Sequence, residues 1–398
     1  MTDQQPPRYS AETAAIRAGR GNDGGALAPA IWATSTFVSK DTAEAHRMAT
    51  SVGATGLYSR YGNPSVAAFE SAVAELEGAE AARAFASGMG AISAVILGLC
   101  SSGDHIVTQR QLYGGTQMFF ASVCPRFGID VTFVDATDPE AWSAAIRPGK
   151  TMMCFAETPA NPKLDLVDLA AFGAIAGPIT VVDSTFAPPL SQRPLDYGVN
   201  LVLHSATKAI AGHNDATIGV VSGDQELIDW LWGFAVLQGA CASPFDATNA
   251  LRGIRTLPLR LRRQSESAMV IARFLEAHEM VTSVSFPGLE SHPQHELASR
   301  QMRYPGGLIT FDVRGGAEFG RRVVESTKIC QLATSLGGPE TLVTHPASTT
   351  HVGLLAAELA DAGIGPGTIR CSVGLEDAED LIADVGRALE RAAQDVQV

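Results

Sequence analysis

The 398-residue sequence predicts an α/β protein, with a large domain built on a mainly parallel sheet and a smaller α+β C-terminal domain. Three observations predict it. The chain is too long for one ordinary small domain. Its middle alternates apolar runs of strand length with segments of helix length. Near residues 252–261 that alternation gives way to a sparser pattern.

The first stretch, through about Tyr61, is rich in Thr, Ser, Gly and Ala and carries few strong helix patterns. Residues 1–61 are therefore expected to form an extended arm. From Pro64, the spacing of Val66, Phe69, Val73 and Leu76 predicts a helix that Gly78 ends. Proline suits its first position. Apolar runs at 105–108, 131–134, 152–156, 179–182 and 201–204 read as strands, and the segments 88–100, 115–126, 138–146 and 166–176 between them as helices. Strands apolar on both faces and joined by helical crossovers imply a mainly parallel sheet covered by helices. Residues 62–258 are assigned to this large domain.

Residues 259–398 are assigned to the small domain. A long helix over 265–279 leaves the large domain, followed by a strand at 308–313, a helix at 317–326, a strand at 368–373 and a closing helix at 378–395. Fewer strands and separate helices suggest an antiparallel sheet. There is no repeat and no low-complexity tract.

Composition narrows the function classes. At 46% hydrophobic and 18% charged, the chain can fill a large core. A formal net charge of −13 disfavours a general nucleic-acid or anionic-membrane role, because no basic surplus exists to neutralise phosphates. One local basic pocket for a single phosphate stays compatible with it. No apolar run approaches the ~18 residues a membrane span needs, and Met1 to Ser10 is polar, unlike a secretion signal. The six cysteines are scattered, so they are expected to be reduced thiols in a cytoplasmic protein. Metal-ligand spacing is absent, and no metal is expected.

Lysine is scarce: Lys40, Lys150, Lys163, Lys208 and Lys328 are all of them. Lys208 stands apart because it follows a strand-like run and Ser205-Ala206-Thr207. It would sit at a strand's carboxyl end, where open α/β sheets place their ligands. The plain alternative is a surface lysine in a βα loop. A second strand, 179–183, ends in Asp183. An aspartate buried there costs desolvation energy unless a cation or donor pairs with it. A pyridinium N–H is such a partner, and lysine Schiff base plus aspartate is the pairing that pyridoxal 5′-phosphate needs. Here the alternative is an aspartate capping the next turn. Ser87-Gly88-Met89-Gly90 precedes an apolar helix, so its backbone N–H groups would face an anion at the helix N-terminus. Ser205 and Thr207 would add hydroxyl donors. A small-residue turn before a helix is common and weak on its own.

Taken together, these residues resemble the Cys/Met-metabolism PLP-dependent family, of fold type I. The resemblance runs from about residue 12 to the C-terminus. Its motifs are Tyr58-Ser59-Arg60 with Gly62-Asn63-Pro64, Ser87-Gly88-Met89, Leu112-Tyr113-Gly114-Gly115-Thr116, and Glu157-Thr158-Pro159-Ala160-Asn161-Pro162. Further on come Asp183-Ser184-Thr185-Phe186-Ala187, Ser205-Ala206-Thr207-Lys208, Ser335-Leu336-Gly337-Gly338 and Arg370-Cys371-Ser372-Val373-Gly374-Leu375-Glu376.

The resemblance implies a role for each. Lys208 would carry the cofactor and shuttle protons, Asp183 would hold the pyridinium N–H, Tyr113 would stack on the ring, and Asn161 would approach the ring hydroxyl. The Gly88 and Met89 amides, with Ser87, Ser205 and Thr207, would bind the phosphate. Tyr58 and Arg60 would reach it from a neighbouring subunit, within a homotetramer built as a dimer of dimers. Arg370, with Ser335, would bind the substrate carboxylate through a bidentate pair. The plain alternatives are a half-buried core aromatic for Tyr113 and a surface ion pair for Arg370.

The far end of the substrate site separates the reactions. Cystathionine-handling relatives carry charge where this sequence has Leu57, roughly Met118, and Thr334. A distal ammonium and carboxylate would lack partners here, and burying them unpaired is costly. An apolar thioether tail fits better, which implies a methionine γ-lyase-like α,γ-elimination. Gly115 points the other way, because methionine γ-lyases often carry cysteine there. Cystathionine γ-elimination and γ-replacement on a homoserine ester therefore stay open, as does a non-catalytic regulatory protein on the same fold. That last reading predicts loss of a catalytic residue, and none is lost.

Overall fold

The computed structural model describes residues 9–20, 25–350, 352, 359–360 and 362–396. Residues 1–8 and 21–24 of the expected arm, and 351, 353–358, 361 and 397–398 of the small domain, lie outside the described residues. Twelve strands among the described residues form two sheets.

The large sheet holds β1 (Ala81–Phe85), β2 (His105–Gln109), β3 (Asp130–Val134), β4 (Thr151–Glu157), β5 (Ile179–Asp183), β6 (Leu201–His204) and β7 (Gly219–Gly223). Their order is β1-β7-β6-β5-β4-β2-β3. Pairing is parallel from β6 through β3, and only β7 runs against its neighbours. The sheet is thus mainly parallel, as expected. Every strand except β7 points its carboxyl end to the same edge.

The two faces of the sheet follow from side-chain alternation. On β4, Met153 and Phe155 enter the core beneath the helices Gly88–Leu99 and Gln225–Gln238, while Cys154 and Ala156 enter the opposite one. There Trp142 and Phe172 meet edge to face, 4.9 Å apart.

The small sheet orders β10 (Gln331–Leu332), β11 (Leu342–Thr344), β12 (Thr368–Ser372), β9 (Leu308–Val313) and β8 (Val281–Ser285) as β10-β11-β12-β9-β8. It is antiparallel apart from the β10–β11 pair. The helices Gly316–Ser326 and Ala378–Val396 cover it, supplying Phe319, Val323, Leu381, Val385 and Leu389 to one core. The helix Leu257–Ala277 joins the two regions, and the boundary expected after residue 258 falls in its first turn.

Several elements differ from the sequence expectation. The arm contains helices at Ala11–Arg17 and Thr42–Thr50. The helix expected at 115–126 breaks into Gly114–Met118, a wider turn at Phe119–Val123 and a tight turn at Cys124–Phe127, where Pro125 forbids continuation. The helix expected at 166–176 is only Leu169–Gly173, started by the Asp168 cap. The joining helix begins eight residues before Ser265. Leu257, Leu261, Gln264 and Ala268 already lie on its buried face, but Arg260, Arg262 and Arg263 interrupt the apolar pattern.

Candidate active site

Glu157, Asp183 and His204 are the last residues of β4, β5 and β6, side by side at the carboxyl edge of the sheet. A cavity of about 530 Å³ opens above them. Ser87, Gly88, Met89, Tyr113, Asn161, Asp183, Ser205, Thr207, Lys208, Thr334, Ser335 and Arg370 all line it. Residues 283 positions apart in sequence are thereby gathered around one space (Arg370 minus Ser87).

Lys208 extends from the loop after β6 and donates to Ser335 Oγ at 2.7 Å. Burial, and then the Arg370 charge, push its amine down to about 8. The loop behind it is held by Arg260, whose guanidinium donates to the carbonyls of Ala209 at 2.8 Å and Gly253 at 2.7 Å. Gly212 makes that possible: a Cβ there would lie 1.9 Å from Arg260 Nη1.

Asp183 is buried, and burial raises its carboxyl. Thr185 offsets this by donating its N–H at 3.0 Å and its hydroxyl at 2.5 Å, both to Oδ1. A two-residue spacing suits such a local turn. Thr185 Oγ1 also accepts the Ser205 N–H at 2.8 Å, which ties the ends of β5 and β6 together.

The helix Gly88–Leu99 starts at the cavity wall. Ser87 Oγ caps it by accepting from Gly90 N at 3.0 Å. The Gly88 and Met89 amides, in the first turn, have no intrahelical acceptor and suit an anion. Gly88 packs against Ser205, where a Cβ would come within 2.7 Å of Ser205 Cβ. Thr207 Oγ1 is engaged with the backbone of Ile218 on both sides, so its hydroxyl already has partners.

Arg370, on β12, is buried, and burial lowers its guanidinium to about 10. It donates to Asn161 Oδ1 at 2.9 Å and to the Ser335 carbonyl at 3.1 Å. Ser335 adopts φ 88, a left-handed conformation that non-glycine residues rarely hold without support. Here the support is the pair of contacts to Lys208 and Arg370.

Four expected residues lie outside this chain's cavity. Tyr58 and Arg60 are exposed, with Arg60 stacked over the Tyr58 ring at 5.2 Å. Leu57 is half-buried, its carbonyl accepting from Phe37 N, and Met118 is exposed. Two residues given no role from sequence stand out instead. Thr185 orients Asp183, and Glu157 lines the cavity beside it. The signal for Glu157 was the one used for Asp183, an acidic residue at a buried strand end. Ile92, Phe186, Thr217, Leu336, Thr349 and Thr350 complete the wall.

Gly115 packs under the Tyr113 ring, where a Cβ would meet Cε1 at 2.6 Å. The tyrosine pose seen here therefore requires glycine at 115.

The residues present fit pyridoxal 5′-phosphate. A half-buried lysine with a lowered pKa, an aspartate with one oxygen held by Thr185, and a glycine-fronted helix N-terminus suit its aldehyde, ring nitrogen and phosphate in turn. Among the described residues no cluster of His, Cys, Asp or Glu could hold a metal ion, all six cysteines are free thiols, and no helix is long and apolar enough to cross a membrane.

Comparison with known proteins agrees with this donor set. Residues 12–390 match the family described as Cys/Met metabolism PLP-dependent enzyme. An L-methionine gamma-lyase of Treponema denticola is 43% identical over 377 residues, covering 93% of this chain and 94% of that one. An O-succinylhomoserine sulfhydrylase of Pseudomonas aeruginosa is 42% identical, covering 95% and 94%. The crystal structure of cystathionine gamma synthase from Xanthomonas oryzae pv. oryzae in complex with cystathionine superimposes with a TM-score of 0.91 at 40% identity, covering 97% and 99%.

Proposed function

The chain belongs to the Cys/Met metabolism PLP-dependent enzymes, and from that premise we propose that it is a carbon–sulfur lyase carrying out α,γ-elimination on a sulfur amino acid. Methionine is the model substrate, giving 2-oxobutanoate, ammonia and a thiol with uptake of one water. One observation carries the choice. Among the described residues lining the cavity, the acidic and basic side chains are Glu157, Asp183, Lys208 and Arg370. All four belong to the cofactor and carboxylate cluster. The rest of the wall is uncharged, so a distal ammonium or carboxylate would be buried without a partner, at a cost of several kcal/mol per ion. A thioether tail carries no such cost.

Pyridoxal 5′-phosphate supplies an electron sink conjugated with the substrate's α-carbon. The protein's own groups do the rest. Arg370 grips the α-carboxylate, using guanidinium N–H groups left after Asn161 and Ser335 are satisfied. Lys208 would take the α-proton and then a β-proton, the C–H bond whose electrons let the γ-sulfur leave; an amine titrating near 8 holds and releases a proton readily at neutral pH. Asp183, fixed by Thr185, holds a proton at the ring nitrogen. Tyr113, at the cavity mouth, delivers a proton to the departing sulfur.

The assembly proposed is a cytoplasmic homotetramer, a dimer of dimers with shared active sites. Its support is the arm, where the apolar side chains Leu27, Trp32, Val38 and Tyr58 are exposed. Tyr58 and Arg60 would complete a neighbour's phosphate site.

Gly115 and the sulfhydrylase relative favour a second reading, γ-replacement on an acyl-homoserine. A panel of methionine, homocysteine, cystathionine and acyl-homoserines, read by keto acid and thiol, separates the two. Release of 2-oxobutanoate from methionine without added thiol supports elimination. Strict dependence on an acyl-homoserine together with a thiol overturns it.

A further inference from the structure

We infer that Glu157 is a positioning residue: its single buried carboxylate clamps the backbone of Tyr113 to that of Asn161, and through Asn161 sets the pose of the substrate-binding Arg370. The inference rests on the reading of Tyr113, Asn161 and Arg370 given above.

The contacts form a continuous chain. Glu157 Oε2 accepts from Tyr113 N at 2.8 Å, and Oε1 accepts from Asn161 N at 2.9 Å. Asn161 Oδ1 in turn accepts from Arg370 Nη1 at 2.9 Å. Tyr113 and Asn161 sit on loops that follow different strands, β2 and β4. Among the described residues no hydrogen bond joins one loop to the other directly. The carboxylate is the only group among the described residues whose two oxygens reach both.

Glu157 is itself held rigidly. The Gln109 side chain grips its backbone from both ends, accepting from Glu157 N at 3.0 Å and donating to Glu157 O at 2.9 Å. On β5, Asp183 lies in register with it. Burial and the Asp183 charge push Glu157 up to about 8, while the Tyr113 and Asn161 amides and Arg370 pull it back. A carboxylate so disfavoured in its ionised form costs stability, and a leucine would fill the space more cheaply. What the carboxylate offers in exchange is two oxygens at fixed separation, which an apolar side chain lacks and an amide supplies only once.

The test is binding of L-norleucine, which has an α-carboxylate and no sulfur to expel, to the cofactor-loaded protein, followed by its absorbance change. Glu157→Gln, checked for an unchanged melting temperature, is expected to weaken norleucine about 10-fold, as loss of one hydrogen bond to a charged group does. In an Asn161→Ala background the same substitution is expected to cost less than threefold, because the route to Arg370 is already cut. Should Glu157→Gln not fold, Glu157→Asp, which keeps the carboxyl but cannot span both amides, carries the same comparison. Wild-type norleucine affinity in the folded variant overturns the inference, as does an equal loss in both backgrounds. The readout is binding, so it holds whether or not methionine yields 2-oxobutanoate.

Discussion

Lys208 Nζ lies 2.7 Å from Ser335 Oγ, a contact that bridges 127 residues of sequence and joins the large-sheet region to the small. The same serine turns its carbonyl to Arg370. One strained residue thus touches both the group proposed to move the α-proton and the group proposed to hold the α-carboxylate. A substrate held by Arg370 in the way proposed would lie within reach of Lys208.

Arg370→Lys is expected to raise the KM for methionine 10- to 100-fold, the equivalent of the ~1.5–3 kcal/mol that a charged hydrogen bond contributes. Lysine keeps the charge but loses the planar fork. Steady-state kinetics check it, with kcat falling less than KM rises.

Thr185→Val keeps the shape of the side chain and removes the hydroxyl that donates to Asp183 and accepts from Ser205. The Asp183 carboxyl then rises further, because burial is less opposed. Cofactor affinity, measured by titrating pyridoxal 5′-phosphate into the apoprotein, should fall about 10-fold.

Much of this site is legible in the amino-acid sequence. The strand ends bearing Asp183 and Lys208 were readable because apolar runs buried on both faces leave strong signals. β1 and β7 were not, since Ala81–Phe85 carries a central arginine paired to Glu70 and Gly219–Gly223 is bounded by glycines. Tertiary pairing, not local preference, makes them strands. Glu157 stood in a quoted motif with no role attached. Its significance lies in two backbone amides, and backbone partners cannot be read from residue types. Leu57 and Met118 illustrate the converse: positions compared along a sequence need not face the same chain's cavity.

Thr334 is the one expected specificity position that does line the cavity. Thr334→Glu places a carboxylate beside the substrate tail. The expected outcome is a shift of kcat/KM from methionine toward cystathionine by at least 10-fold, read from the ratio of the two. An unchanged ratio would remove Thr334 from the specificity argument.

The lowered pKa of Lys208 has a signature in the cofactor-free protein. Folded, the amine titrates near 8; the ordinary lysine value is 10.5. Below pH 8 it is charged in both folded and unfolded states, and the desolvation penalty is fully present. Between 8 and 10.5 the unfolded chain binds more protons, so this group makes stability rise with pH there. Denaturant unfolding of the apoprotein should show that rise, and Lys208→Met should remove its contribution.

The central claim is that Lys208 carries the cofactor. Reducing the purified holoenzyme with borohydride and mapping the modified peptide by mass tests it most directly. The pyridoxyl group is predicted on Lys208, and the Lys208→Ala protein should lose both that adduct and the visible absorbance of the lysine-linked cofactor. An adduct on Lys40, Lys150, Lys163 or Lys328, or an absorbance that persists in Lys208→Ala, would contradict it.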